Sequence, residues 1–137
     1  MEQKNAFDIK EVREAYYYLL VLGMLSFFSG FMRLVGFLTG PPAGTKLVLH
    51  AVYAVIVSLF CFYTSQQLRR FKKSGYYLAA GFAVLMAVVA CGGFFVTFRA
   101  DAISAILMAL LSVLSVFIAW GLRKNRVKSL FFPPKPV

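Results

Sequence analysis

Arg33, His50 and Asp101 carry the side-chain chemistry that so apolar a chain could put to use. A guanidinium offers a planar fork of donors, an imidazole both donates and accepts, and a carboxylate is the counterion for either. At about 1.5 Å per residue, Arg33 and His50 fall at nearly the same depth, about a turn below the outer end of their segments. With Asp101, they would make an outer polar site for a lipid headgroup, a quinone oxygen or a proton. Each also has a plainer reading. Arg33 can snorkel to the interface, and His50 can be an interfacial histidine without a role. A lone histidine supplies neither a bis-histidine haem site nor a usual zinc site, so no cofactor or metal is expected.

Enzyme chemistry has little to work with, and a non-enzyme is expected. No apolar segment carries paired carboxylates, a Ser/His/Asp set at common depth, Cys-x-x-Cys or a glycine-rich phosphate loop. Proton-coupled export of the small multidrug type needs a mid-membrane acid, and none of the five acidic residues lies there. Cys61 and Cys91 sit an estimated ~12 Å apart along the membrane normal, too far for a disulfide, and read as small packing residues.

The elements that must position these groups follow from composition. Of 137 residues, 61% are hydrophobic and 15% charged, far beyond the roughly 45–50% apolar share of a globular domain. The expected fold is an all-α integral membrane protein, with four transmembrane helices arranged as two antiparallel hairpins in a bundle. The spans fall at about 15–38, 46–68, 76–98 and 102–122, each long enough to cross about 30 Å of hydrocarbon. Before them lies a cytoplasmic or interfacial segment, 1–14, and after them a basic, proline-rich cytoplasmic tail, 123–137. The N-terminal segment has mixed charge and leads directly into a full-length span, so it is expected to be retained rather than cleaved as a signal. Ile9, Val12 and Tyr16 share a face, either of a short surface helix or of an extension of the first span. Gly40-Pro41-Pro42 would end the first span, and Trp120 would mark the inner interface of the fourth.

Small residues recur at helix spacing. Gly23, Ser26 and Gly30 line one face of the first span, and Ala51, Ala54, Ser58, Cys61 and Ser65 form a heptad seam along the second. Ala83, Ala87 and Ala90 on the third span, with Ser112 and Ser115 on the fourth, continue the pattern. Such faces let helix backbones approach closely where water supplies no driving force.

Charge sets the orientation. Arg69, Arg70, Lys72 and Lys73 crowd the connector between the second and third spans, Arg123, Lys124, Arg126 and Lys128 follow the fourth, and Lys4, Lys10, Arg13 and Lys135 belong to the same side. Only Lys46 and Arg99 lie opposite, with Arg33 inside the first span. The positive-inside rule then places both termini in the cytoplasm, in a bacterial inner membrane. The formal charge of +10 suits anionic headgroups rather than nucleic acid. Phe131 and Phe132 would dip into the interface and the proline end would be extended. The third and fourth spans are joined by Arg99-Ala100-Asp101 alone, with Asp101 as N-cap of the fourth. Each hairpin opens through Tyr-Tyr-Leu and closes through Leu-Arg-basic, a pattern compatible with a parallel duplication.

The run from Leu68-Arg69-Arg70 to Gly75-Tyr76-Tyr77-Leu78-Ala79, with Val127-Lys128-Ser129-Leu130-Phe131, resembles the connector and tail of small four-span bacterial membrane proteins of uncharacterised role. Leu20-Val21-Leu22-Gly23 with Phe27, Gly30 and Arg33 resembles the first span of the DoxX-type four-helix proteins, with arginine in place of their lysine. That resemblance covers about 20 residues and implies an accessory membrane subunit, sometimes linked to quinone-dependent oxidation. It carries no site residues across.

Two functions are therefore weighed. One is a non-catalytic accessory subunit or assembly factor, whose surplus of small-residue seams docks sister subunits or a second copy. The other is a small transporter or a lipid- or quinone-binding protein that uses Arg33, His50 and Asp101.

Overall fold

The computed structural model describes residues 9–40 and 44–133. Expectations placed on Lys4, Pro41, Pro42, Lys135 and the extended proline end lie outside those residues. Five helices follow in order: α1 (Lys10–Thr39), α2 (Thr45–Arg69), α3 (Lys73–Thr97), α4 (Ala102–Arg123) and α5 (Asn125–Phe131). Among the described residues there is no strand. The first four helices are long and apolar enough to cross a membrane. Large side chains such as Phe28, Leu38, Phe95 and Val113 stand exposed along them, which is a liability in water and ordinary against lipid. The chain is consistent with an integral membrane protein.

Packing starts from the small residues. A Cβ added to Gly23 would lie 3.1 Å from Cys61 Cβ, and one added to Gly30 would lie 3.0 Å from Ala54 Cβ and 3.3 Å from the Ala51 carbonyl. As α1 is followed outward from residue 23 to 30, its partner on α2 moves back from 61 to 51, so the two helices run in opposite senses. On the other side Gly93 meets Met108 Sδ, and Ser112 Oγ donates to the Ala87 carbonyl at 3.3 Å. The small faces thus meet one another within the chain.

Among the described residues, the shared core occupies only one end of the bundle. Val12, Ala15 and Leu19 of α1, Cys61 and Leu68 of α2, Ala79 and Ala83 of α3, and Ile118 and Leu122 of α4 form one continuous cluster. All lie in the halves of their helices nearest the α2–α3 connector, termed here the inward end. In the outward halves Gly30 and Ala51 are buried, as are Ala90 and Ala105, but none of these belongs to that cluster. The outward burial is pairwise, α1 against α2 and α3 against α4.

The inward end is closed by the connector and the tail. Phe71 N–H donates to the Leu68 carbonyl and Lys72 N–H to the Gln67 carbonyl, both at 3.1 Å. This is the bond pair that ends a helix through a left-handed residue. That residue is Phe71, at φ 53°, where glycine is usual. Its ring packs on Phe131, centroids 5.6 Å apart. The tail departs from the expectation here. Rather than dipping into lipid, Phe131 is 1% exposed and stacks against Tyr76 at 5.2 Å, while Phe132 lies against Tyr76 and Tyr77. Val127 and Phe131 are one turn apart, so a single helical turn aims both at the bundle.

Residues 10–14 are likewise part of α1 rather than a separate surface helix. Val12 is 1% exposed, and Glu11 is buried with it, the Glu11 side chain lying over Gly121. The other spans begin and end within three residues of where hydropathy puts them.

Candidate functional site

Two polar assemblies occupy opposite ends of the molecule. The inward one is fully satisfied. Arg126 Nη2 donates to both carboxylate oxygens of Glu11 at 3.0 Å, and Lys124 Nζ donates to Oε1 at 3.2 Å. The cations remain half or more exposed while the carboxylate is 9% exposed, so the acid is the buried member. Lys124 and Arg126, expected at lipid headgroups, both bond Glu11 while keeping much of their side chains exposed. One layer deeper, Tyr18 and Ser115 share a hydrogen bond of 2.6 Å, and Ser115 Oγ also donates to the Leu111 carbonyl. Tyr76 O–H donates to the Leu122 carbonyl at 2.9 Å, filling one of the acceptors that the end of α4 leaves open.

The outward assembly has a different character. Asp101 caps α4: Oδ1 accepts from Ile103 N–H at 3.1 Å, and Oδ2 accepts from the Ser104 hydroxyl. Those two donors, the Ser104 hydroxyl first, hold the Asp101 carboxyl below the usual carboxylate range. Arg33 and His50 are exposed, and among the described residues no hydrogen bond or ion pair joins either of them to Asp101 or to any other group. The structure therefore places the three candidate residues at one end without bonding them together.

Helical register nevertheless gives Arg33 and His50 a common direction. Arg33 lies eighteen residues beyond Ala15, or about five turns, and so stands on the face where Ala15 is 0% exposed. His50 lies eighteen residues before Leu68, also 0% exposed, and shares its face in the same way. Both residues thus occupy the faces that form the core at the inward end. They carry those faces into the outward half, where the two helix pairs share no core. Their level agrees as well. Gly30 abuts Ala51 and Ala54; Arg33 is three residues outward of Gly30, and His50 one residue outward of Ala51.

The seam residues are accounted for inside the chain. Gly23 and Gly30 meet Cys61, Ala51 and Ala54, Ser112 meets Ala87, and Ser65 Oγ donates to the Phe62 carbonyl. Ser58 is buried on α2 without a hydrogen-bond partner; Ser26 and Ala83 lie along the same pairings, half-buried and buried. Ser115, expected on a packing seam, is 0% exposed and is also the hydrogen-bond partner of Tyr18. Both cysteines are free, Cys61 buried and Cys91 exposed. Among the described residues no three His, Cys, Asp or Glu side chains converge as metal ligands.

Sequence reasoning missed Glu11, Tyr18, Tyr76 and Phe71. The nearest signal for the tail contact was the spacing of Val127 and Phe131. Compared with protein families, curated proteins and solved structures, the chain finds no match.

Proposed function

We propose that this is a non-catalytic protein of the bacterial inner membrane, built from two antiparallel hairpins with both termini cytoplasmic, that holds an amphiphile in the outward half of its bundle. The orientation rests on the cations of the connector and tail, which share the end occupied by Glu11, α5 and the core. The observation that carries the functional reading is the register of Arg33 and His50. Both stand on core-forming faces at a level where no core has formed. His50 lies among the apolar side chains of Leu49, Val52, Tyr53 and Ile56, and apolar surroundings with a few polar groups suit a ligand with an apolar body and a polar head, a lipid or a quinone. The inward end is sealed by the Tyr18–Ser115 layer and by the Phe71, Tyr76 and Phe131 rings, which favours binding from the outer leaflet over a through-path.

An accessory subunit or assembly factor is the second reading, and the open outward half supports it too, since a helix of a larger complex would fit between the pairs. Surplus seams no longer argue for it, because they are occupied within the chain. Purification of the tagged protein from its native membrane in mild detergent, followed by mass spectrometry, separates the two. A bound lipid or quinone at fixed stoichiometry supports the first reading; a stoichiometric membrane-protein partner and no bound amphiphile would replace it with the second.

A further inference from the structure

We propose that Arg33 and His50 together bind the headgroup of an anionic phospholipid drawn from the outer leaflet, with its acyl chains between the two helix pairs. This rests on the amphiphile reading and specifies the ligand.

Charge balance selects the headgroup. Of the five acidic residues, Glu2, Asp8, Glu11 and Glu14 precede the first span, and only Asp101 belongs to the outward end. Asp101 spends both oxygens on Ile103 and Ser104. Arg33 lies six residues before Thr39, the last residue of α1, about 9 Å along the axis from the helix end. A guanidinium at that depth is costly unless paired, and among the described residues it has no ion-pair partner. The counter-charge therefore comes from the surroundings. A phosphodiester matches the guanidinium fork with two parallel bonds, whereas a quinone offers one neutral carbonyl at a time; a zwitterionic lipid brings the same phosphodiester with a cation of its own, so only an anionic lipid supplies a net counter-charge. His50, at the same level on the neighbouring helix, adds a donor from the other side of the α1–α2 contact. The inward seal leaves such a lipid one way in.

The test is native mass spectrometry of the full-length protein in mild detergent, titrated with phosphatidylglycerol or with zwitterionic phosphatidylcholine. The wild type is expected to retain one phosphatidylglycerol with an affinity about tenfold or more above phosphatidylcholine, whose choline cation offsets the phosphate charge that phosphatidylglycerol leaves to Arg33. Arg33→Gln should remove that preference, His50→Gln should weaken it, and the double variant should resemble Arg33→Gln. Arg70→Gln with Lys72→Gln, at the opposite rim, should leave this one tight site intact. An unaltered melting temperature in each variant checks that the fold survives.

Equal affinity for the two lipids, a preference that persists in Arg33→Gln, or one that disappears with the connector variant would each overturn the proposal. A photo-crosslinker at Ser29, an exposed residue of α1 one turn before Arg33 and on the same side of the helix, distinguishes the two levels of failure. Crosslinks to phosphatidylcholine or to quinone as strong as those to phosphatidylglycerol would keep the amphiphile cleft and discard the anionic headgroup. Absence of any lipid crosslink would discard the cleft, and the headgroup proposal with it.

Discussion

Glu11 and Arg126 stand 115 positions apart in the chain and are joined by two hydrogen bonds of 3.0 Å, which tie the first turn of α1 to α5. The burial of this pair is lopsided. Glu11 is 9% exposed at its side chain and Arg126 74%. Loss of the acid leaves two cations that water or lipid headgroups can serve, whereas loss of the cations leaves a buried carboxylate with its own backbone N–H but no counter-charge. Glu11→Gln is accordingly expected to cost about 1 kcal/mol, and Lys124→Ala with Arg126→Ala roughly 2–3 kcal/mol. Unfolding in detergent micelles measures both; equal losses would mean that the carboxylate is hydrated after all.

Phe131 and Phe71 extend the same closure. Phe131→Ala removes a ring that is 1% exposed and contacts both Phe71 and Tyr76, so a loss of about 3–5 kcal/mol is expected. Limited proteolysis should then cut α5 while α1 to α4 stay protected. Phe71→Gly relieves a left-handed backbone worth about 1 kcal/mol, but it also gives up the Phe131 contact, and a net destabilisation is expected. If Phe71→Gly stabilised the protein, the ring would not be packed as described.

How much of this was legible beforehand depends on where the signal is stored. Four spans could be read because length and hydropathy are local properties, and α2 to α4 begin and end close to the expected positions. That Gly23 and Gly30 share one close-packing face, and Ala51, Ala54 and Cys61 another, also followed from spacing; that the two faces meet each other did not. The position of the core could not be read. Inside a span, Leu19 at 1% exposure and Leu25 at 61% have the same chemistry, and lipid is as good a solvent for one as for the other. The Glu11 clamp was invisible for a different reason, since an ion pair across 115 residues leaves no periodic trace. A seven-residue helix such as α5 is too short to show one. Of the candidate site, the common level of Arg33 and His50 along α1 and α2 was legible, but their shared facing needed buried residues to calibrate the register.

Tyr18 and Ser115 give a second asymmetry. Tyr18→Phe removes a hydroxyl from a bond of 2.6 Å while Ser115 keeps the Leu111 carbonyl, so about 1 kcal/mol is expected. Ser115→Ala instead strands the Tyr18 hydroxyl, at a site 6% exposed, and roughly 1–3 kcal/mol is expected. Chemical unfolding of the two variants side by side tests the order; the reverse order would place the Tyr18 hydroxyl in contact with water.

Gly75 and Gly92 should respond in opposite ways to the same substitution. A Cβ on Gly75 would lie 2.5 Å from the Gln67 carbonyl carbon and 2.6 Å from Leu68 N. That is backbone against backbone where α3 crosses the end of α2, and nothing there is free to rotate away. Gly75→Ala is expected to cost about 1–3 kcal/mol or more, seen as loss of monodisperse protein. Gly92 has open space around a new Cβ, and Gly92→Ala is expected to gain up to about 1 kcal/mol by restricting the unfolded chain. Similar effects at both positions would mean that α2 and α3 do not meet at Gly75.

Asp101 makes the start of α4 sensitive to acid, in a direction that follows from its partners. The Ser104 hydroxyl and the Ile103 N–H favour the ionised carboxyl and lower its pKa relative to the unfolded chain. A group so depressed contributes its stabilisation fully above the ordinary carboxylate range and loses it as pH falls through the folded value. The amides of the first turn of α4 should therefore exchange faster than the intrinsic chemistry predicts once pH drops below that range, while the middle of α4 keeps its protection. Asp101→Asn retains a capping oxygen without a charge, so its first turn should be insensitive to pH over the same interval. An Asp101→Asn protein that still loosened in acid would assign the effect to another group at that end.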